Sequence, residues 1–284
     1  MSKEILQNPF RPSPQADPNL SALAEQGFLS EPDVAKLRKF ESTPGPSTQD
    51  HGLEELNLEE GLDAAERVIA RENDPKYTRE RLIKWADKYK LGDEVWVDEV
   101  FEFQSDGSAI CVGDLDLGGY AEIELPKGLI EVQGYLDLYS LISAEGLTLP
   151  DSIGRSLYLN CLILAEDLTF PNSIGGDLYL SSLTSAVGLI LPNSIGGYLN
   201  LCNLTSAKGL TLPDSIWGGL DLNNLVSAEG LTLPRSIGGH LNLDSLISAE
   251  HLVLTDIKGT VILSCLLEQE KQELRKKYPH LRIN

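Results

Sequence analysis

Five of the nine tyrosines, Tyr135, Tyr139, Tyr158, Tyr179 and Tyr198, fall within a few repeats of one another, alongside Asn200, Asp221 and Asn223. Residues of these types on one face suit recognition rather than bond-breaking, because aromatic rings give rigid contact area and amides adapt their hydrogen bonds. The same residues stacked about 4.8 Å apart also stabilise one another as a ladder, so the spacing fits a structural role as well. Trp217 replaces a glycine of its repeat. It is either an exposed anchor of the kind enriched at binding hot spots or a ring folded over its corner.

Chemistry of the bond-breaking kind finds less support. Polysaccharide cleavage needs a pair of converging carboxylates, or a base beside cationic groups. Glu166 and Asp167 are adjacent, and neighbours on a corner point apart. The basic residues of the array, Lys127, Arg155, Lys208, Arg235 and Lys258, fall in different columns. His51, His240, His251 and His280 have no metal-ligand spacing. A threonine column, Thr148, Thr169, Thr211 and Thr232, is broken by Ile190 and Val253. It reads as β-branched residues suiting strands, not as the regular flat array of an ice-binding face. No catalytic residue, metal ligand or cofactor is expected.

The element that positions these residues is a repeat. Leu-x-Leu pairs begin at Leu115, Leu136, Leu157, Leu178, Leu199, Leu220 and Leu241, every 21 residues, with Val261 one residue early. Behind each pair come a leucine (Leu141, Leu162, Leu183), an alanine (Ala144, Ala165, Ala186) and a second apolar pair (Leu147/Leu149, Leu168/Phe170, Leu189/Leu191). Proline closes that pair at 150, 171, 192, 213 and 234, and an isoleucine and a glycine-rich corner follow. Self-similarity at such a period is the signature of stacked units. Two apolar-x-apolar segments per unit require alternate residues to point inward. The Ser-Ala-x-Gly and Pro-x-Ser-Ile-Gly-Gly stretches supply turn residues. No helix of ten residues fits in the unit, so the array reads as a parallel β-solenoid with inward Leu136, Leu138, Leu141, Ala144, Leu147, Leu149 and Ile153.

The unit LPxSIGGxLxLxxL, with its earlier variant running from Leu125 to Leu138, resembles leucine-rich-repeat-like arrays of bacterial and phage proteins. The resemblance covers about half the chain and implies an interaction surface rather than an activity. Two departures stand out. Leucine occupies the position where standard leucine-rich repeats carry asparagine, and a second Leu-x-Leu segment replaces their helical return. Both favour a straight β-solenoid over a horseshoe.

Outside the array, residues 1–52 read as largely disordered linker, rich in Pro, Ser, Gly and Asp, with a short helix near 30–41 begun by Ser30 and Pro32. Residues 53–92 read as helical, with a second helix near 78–90 that carries Leu82, Ile83, Trp85 and Ala86 and ends at Gly92. The solenoid domain spans 93–266 and opens on two strand runs around Ser105-Asp106-Gly107. Residues 267–284 read as a capping helix, with Leu267, Leu274 and Leu281 over the last coil. The only basic stretch, Lys271 to Lys277, lies on it.

The net charge of −20 disfavours nucleic acid and anionic membrane surfaces as partners. No run of about 18 apolar residues suggests a membrane span, and the first residues lack a signal-peptide core. Cys161 and Cys265 share a column five coils apart, on the order of 24 Å at 4.8 Å per coil, too far for a disulfide. Free thiols fit a cytoplasmic location. The expected role is a non-catalytic protein-interaction or scaffolding module. The alternative is a carbohydrate-binding or carbohydrate-cleaving β-helix, and glycan is therefore the second partner class considered.

Overall fold

Inward leucines that alternate with outward polar residues need extended backbone. The structure, a computed structural model that describes residues 75–165 and 168–284, provides it twice per coil through about eight turns. The expected linkers, the helix near 30–41, the helical stretch before residue 75 and the Glu166–Asp167 pair lie outside the described residues.

One nine-stranded sheet carries the Leu-x pairs, from Leu115–Asp116 through Leu136–Asp137 to Thr260–Ile262. Its strands are parallel and in register: Leu136 pairs with Leu157, Leu157 with Leu178 and Leu199 with Leu220. It is the second sheet of the coil. The first sheet, also nine-stranded, carries the Ser-Ile pairs from Ser152–Ile153 to Ser236–Ile237. The expected inward residues Leu136, Leu138, Leu141, Ala144, Leu147, Leu149 and Ile153 are all buried.

The first sheet corrects one expectation. Its ladder forms on Ser-Ile, which the sequence reading treated as a corner, and not on Leu147/Leu149 and their equivalents. Between those apolar pairs the described residues show only an isolated bridge, Thr169 to Ile190. The proline that closes each pair has no N–H to give to a ladder, so regular pairing begins beyond it.

Turns join the sides of the coil. Leu141 N donates to Leu138 O at 3.0 Å, and Leu147 N to Ala144 O at 3.0 Å. The second of these puts Gly146 at the third position of a turn with φ +71°, the left-handed region that glycine occupies without steric cost. His251 takes the equivalent place in its coil at φ 64°. Ser143 Oγ accepts the Glu145 N–H inside the same turn. At the corner between the sheets, a Cβ on Gly196 would lie 2.2 Å from Gly175 O of the preceding coil. Close stacking of backbones favours glycine there, and the backbone shifts to admit Gln133, Trp217 and Lys258 at the equivalent place of their coils.

The N-terminal end is aromatic where the array is aliphatic. Helix α1 (Pro75–Tyr89) buries Leu82, Trp85 and Ala86, and stops at Lys90, φ 57°, two residues before the expected Gly92. Helix α2 (Glu94–Val100) occupies a stretch read from sequence as strand. Asp93 caps it by accepting the Trp96 N–H at 3.1 Å, and Glu94 sits in the first turn. Cap and dipole prevail over the strand propensity of three valines. The hairpin that follows is as expected: Phe101–Phe103 pairs antiparallel with Ala109–Cys111 around Gly107 at φ 83°. Trp85 packs edge-on against Tyr89 and Phe101, and its Nε1 donates to Glu124 O at 2.7 Å.

At the other end, α3 (Glu268–Lys277) covers the last coil. Leu274 and Leu281 are buried, as expected. Leu267 is not: it is 69 % exposed. Leu266 fills the inward leucine column, so the next residue must face out. The cap also contains a strand that the sequence did not announce. Arg282–Ile283 pairs in parallel with Thr260–Ile262 and buries Ile283. Side chains satisfy backbone groups that another coil would have met. Glu270 Oε1 accepts the Ala249 N–H at 3.0 Å, and the Tyr278 hydroxyl accepts the Leu254 N–H at 3.3 Å.

Candidate functional site

The outward residues of the second sheet form a lattice with one row per coil. Successive rows begin Asp114-x-Asp116, Tyr135-x-Asp137, Ser156-x-Tyr158, Asp177-x-Tyr179, Tyr198-x-Asn200 and Gly219-x-Asp221. Parallel register stacks equivalent residues directly, as in Tyr158 over Tyr179 and Asn200 over Asp221.

Four of the expected tyrosines meet in one continuous series. Tyr135 approaches Tyr158 edge-on at 5.9 Å between ring centroids. Tyr158 and Tyr179 stack at 5.0 Å with 9° between planes. Tyr198 tilts against Tyr179 at 6.2 Å. The two central rings turn faces to each other, so edges and hydroxyls point outward. Tyr139 is not part of this series and is 51 % exposed. Trp217 is 74 % exposed at the corner before its row, so its ring does not fold over that corner, and the structure does not bring it into the tyrosine group.

Much of the Asp/Asn column is occupied with turn geometry. The Oδ1 atom of Asp137 accepts the Tyr139 N–H at 2.8 Å. Asn200 accepts from Cys202 N at 3.0 Å and Asp221 from Asn223 N at 2.9 Å. Asn223 donates its amide onward to Asn224 Oδ1, and Asn224 to Asn203 Oδ1 at 2.8 Å one coil earlier. Tyrosine at 158 and 179 gives up this side-chain lock in exchange for ring stacking. Between those two coils, Asn160 Nδ2 donates to Ser181 Oγ at 3.2 Å instead.

Two aspartates that the sequence reading passed over complete the arrangement. Asp114 Oδ1 accepts the Tyr135 N–H at 3.0 Å, and Asp177 Oδ1 accepts the Tyr198 N–H at 2.7 Å, each across 21 residues. Asp177 Oδ2 also accepts the Tyr179 hydroxyl, and Asp221 Oδ2 accepts the Tyr198 hydroxyl at 2.7 Å. Burial, then the hydrogen bond to Asp221, pushes the Tyr198 phenol well above its usual range. Burial and nearby Asp177 raise Tyr179, and burial and Asp114 raise Tyr135. Burial, with Asp116 alongside, raises the Asp137 carboxyl. The signal for Asp114 and Asp177 was in the sequence: they share the column of Tyr135 and Tyr198 at the same period.

A second exposed stripe also escaped the sequence reading. Ile142, Ile163, Val226 and Ile247 follow the inward leucine of their coils and are about half exposed or more. No group of three or more His, Cys, Asp or Glu side chains that could hold a metal ion occurs among the described residues. The described cysteines are free thiols. No described helix is long and apolar enough to cross a membrane. No protein-family model, no characterised protein and no solved structure matches the chain.

Proposed function

We propose that the chain is a non-catalytic repeat module that presents the outer face of its second sheet to a protein partner. The observation that carries this is the tyrosine series from Tyr135 to Tyr198. Two coils replace a turn-locking Asp or Asn with tyrosine, forgoing a local hydrogen bond for aromatic surface. Tyrosine gives large contact area at low entropic cost and is enriched where binding energy concentrates. The resemblance to leucine-rich-repeat-like arrays points the same way, and the free thiols suit a cytoplasmic setting.

Ring orientation favours protein over glycan. A sugar ring packs on an aromatic face, and Tyr158 and Tyr179 turn those faces to each other. What remains outward, edges and oxygens, suits hydrogen-bonded protein contacts.

The test is affinity capture with the full chain, compared with Tyr158→Ala/Tyr179→Ala and with a control, Ser173→Ala/Ser194→Ala, on the first sheet. Capture that is lost in the tyrosine variant and kept in the control is expected. Equal capture by all three proteins would refute the assignment of this face.

A further inference from the structure

We infer that the outer face of the second sheet takes a cationic, donor-rich peptide segment, with arginine as its preferred side chain. This rests on the docking reading above and specifies the partner's chemistry. Three columns of that face, running from Asp114-Asp116-Gly118 in the first row to His240-Asn242-Asp244 in the seventh, carry Asp114, Asp116, Asp137, Asp177, Asp221 and Asp244 and no Lys or Arg. The first positive side chain met along the sheet is Arg282, in its terminal strand. The partner that complements such a surface is positive.

Hydrogen-bond directions narrow the chemistry further. The hydroxyl protons of Tyr179 and Tyr198 are donated to Asp177 and Asp221, so these hydroxyls turn lone pairs to the outside. Asp137 commits its Oδ1 to the Tyr139 amide and Asp116 its Oδ1 to the Gly118 amide. Each keeps a second oxygen for an incoming group. The face therefore turns several acceptor oxygens outward. A guanidinium group supplies five N–H donors in a planar fork and bridges neighbouring oxygens better than an ammonium does. Tyr139, half exposed and outside the stacked series, offers a ring face on which the same group can lie. An acidic segment would meet like charge on five of the seven rows.

The experiment is a random-peptide display selection on the full chain at physiological salt, followed by affinity measurements on synthesised winners. The face variant is Asp137→Asn/Asp177→Asn/Asp221→Asn. Asparagine retains the Oδ1 acceptor that each backbone amide uses, and a thermal melt checks that folding is intact. The control is Asp151→Asn/Asp214→Asn/Glu229→Gln, with the same change in net charge at exposed positions elsewhere on the coil. Arg-rich winners are expected, with affinity falling about tenfold or more in the face variant and less than about twofold in the control. Equal losses in both would reduce the effect to net charge and overturn the inference. Winners without Arg or Lys that still depend on Tyr158 and Tyr179 would overturn the cationic partner while leaving the docking reading in place. An absence of face-dependent peptides would overturn both.

Discussion

Across the first sheet each coil from 152 to 237 repeats Ser-Ile-x-x at matching places, whereas across the second sheet the outward residue passes from Asp137 through Tyr158 and Tyr179 to Asn200 and Asp221. Both sheets stack the same coils and bury the same aliphatic core. The difference lies in the room each leaves. Beside the first sheet, backbones approach so closely that a Cβ on Gly154, Gly175 or Gly196 would lie within about 2.2 Å of the preceding coil's carbonyl oxygen. On the second sheet the outward position is only partly covered, and aspartate, asparagine or tyrosine each fits. Where packing narrows the choice, repetition reports structure. Where packing leaves it open, the choice of residue can serve recognition.

The comparison can be broken most severely from the C-terminal end, on which both sheets depend. Deleting residues 267–284 removes the strand Arg282–Ile283, uncovers Val261 and Leu263, and leaves the Ala249 and Leu254 amides without their partners. Unpaired strand edges invite pairing with other chains. Light scattering should show oligomers or aggregates, and a truncated chain that stays monomeric with an unchanged melting curve would show that α3 is not a cap.

A matched pair of substitutions sharpens the contrast. Gly196→Val, at the crowded corner, should cost about 1–3 kcal/mol or more, as overpacking does. Tyr179→Ala, on the open face, loses aromatic contacts worth about 0.5–1.5 kcal/mol each. Urea unfolding of both variants reads the two costs, and a Tyr179→Ala loss well beyond about 3 kcal/mol, the worth of its two ring contacts, would mean that the ladder is chiefly structural.

The smallest effect comes from Asp137. Burial raises its folded-state pKa above the unfolded value, so its stabilising contribution is full below the unfolded pKa and is lost as pH rises through the folded one. Asp137→Asn keeps the turn acceptor and removes that loss. The variant should melt slightly higher than the parent at neutral pH, with the gap closing in acid. A gap that widens on acidification would contradict the cause assigned to the shift.

How far the sequence could be read follows the same division. The 21-residue columns placed the inward residues correctly because core packing tolerates few residue types, and Leu136, Leu138 and Ile153 are buried where the period put them. The ladder on Ser-Ile was missed because apolar alternation marks burial, not hydrogen bonding, and proline moved the pairing beyond Leu149. The strand Arg282–Ile283 was missed because it occurs once and has no period to betray it. Leu267 departs from its helical spacing because the coil register, with Leu266 inward, turns it outward. On the face itself, the tyrosine grouping was legible from spacing. For Asp114 and Asp177 the period shows only the column they share with Tyr135 and Tyr198; the hydrogen bond each makes to the amide one coil later depends on the stacking itself.

The central claim is that partners dock on the second sheet and not on the first. Amide hydrogen exchange of the full chain, alone and with a captured partner or selected peptide, tests it most directly. Added protection is expected in 135–140, 156–161, 177–182 and 198–203, with the Ser-Ile strands of the first sheet unchanged. Protection centred on residues 152–155, 173–176 and 194–197 instead would contradict it.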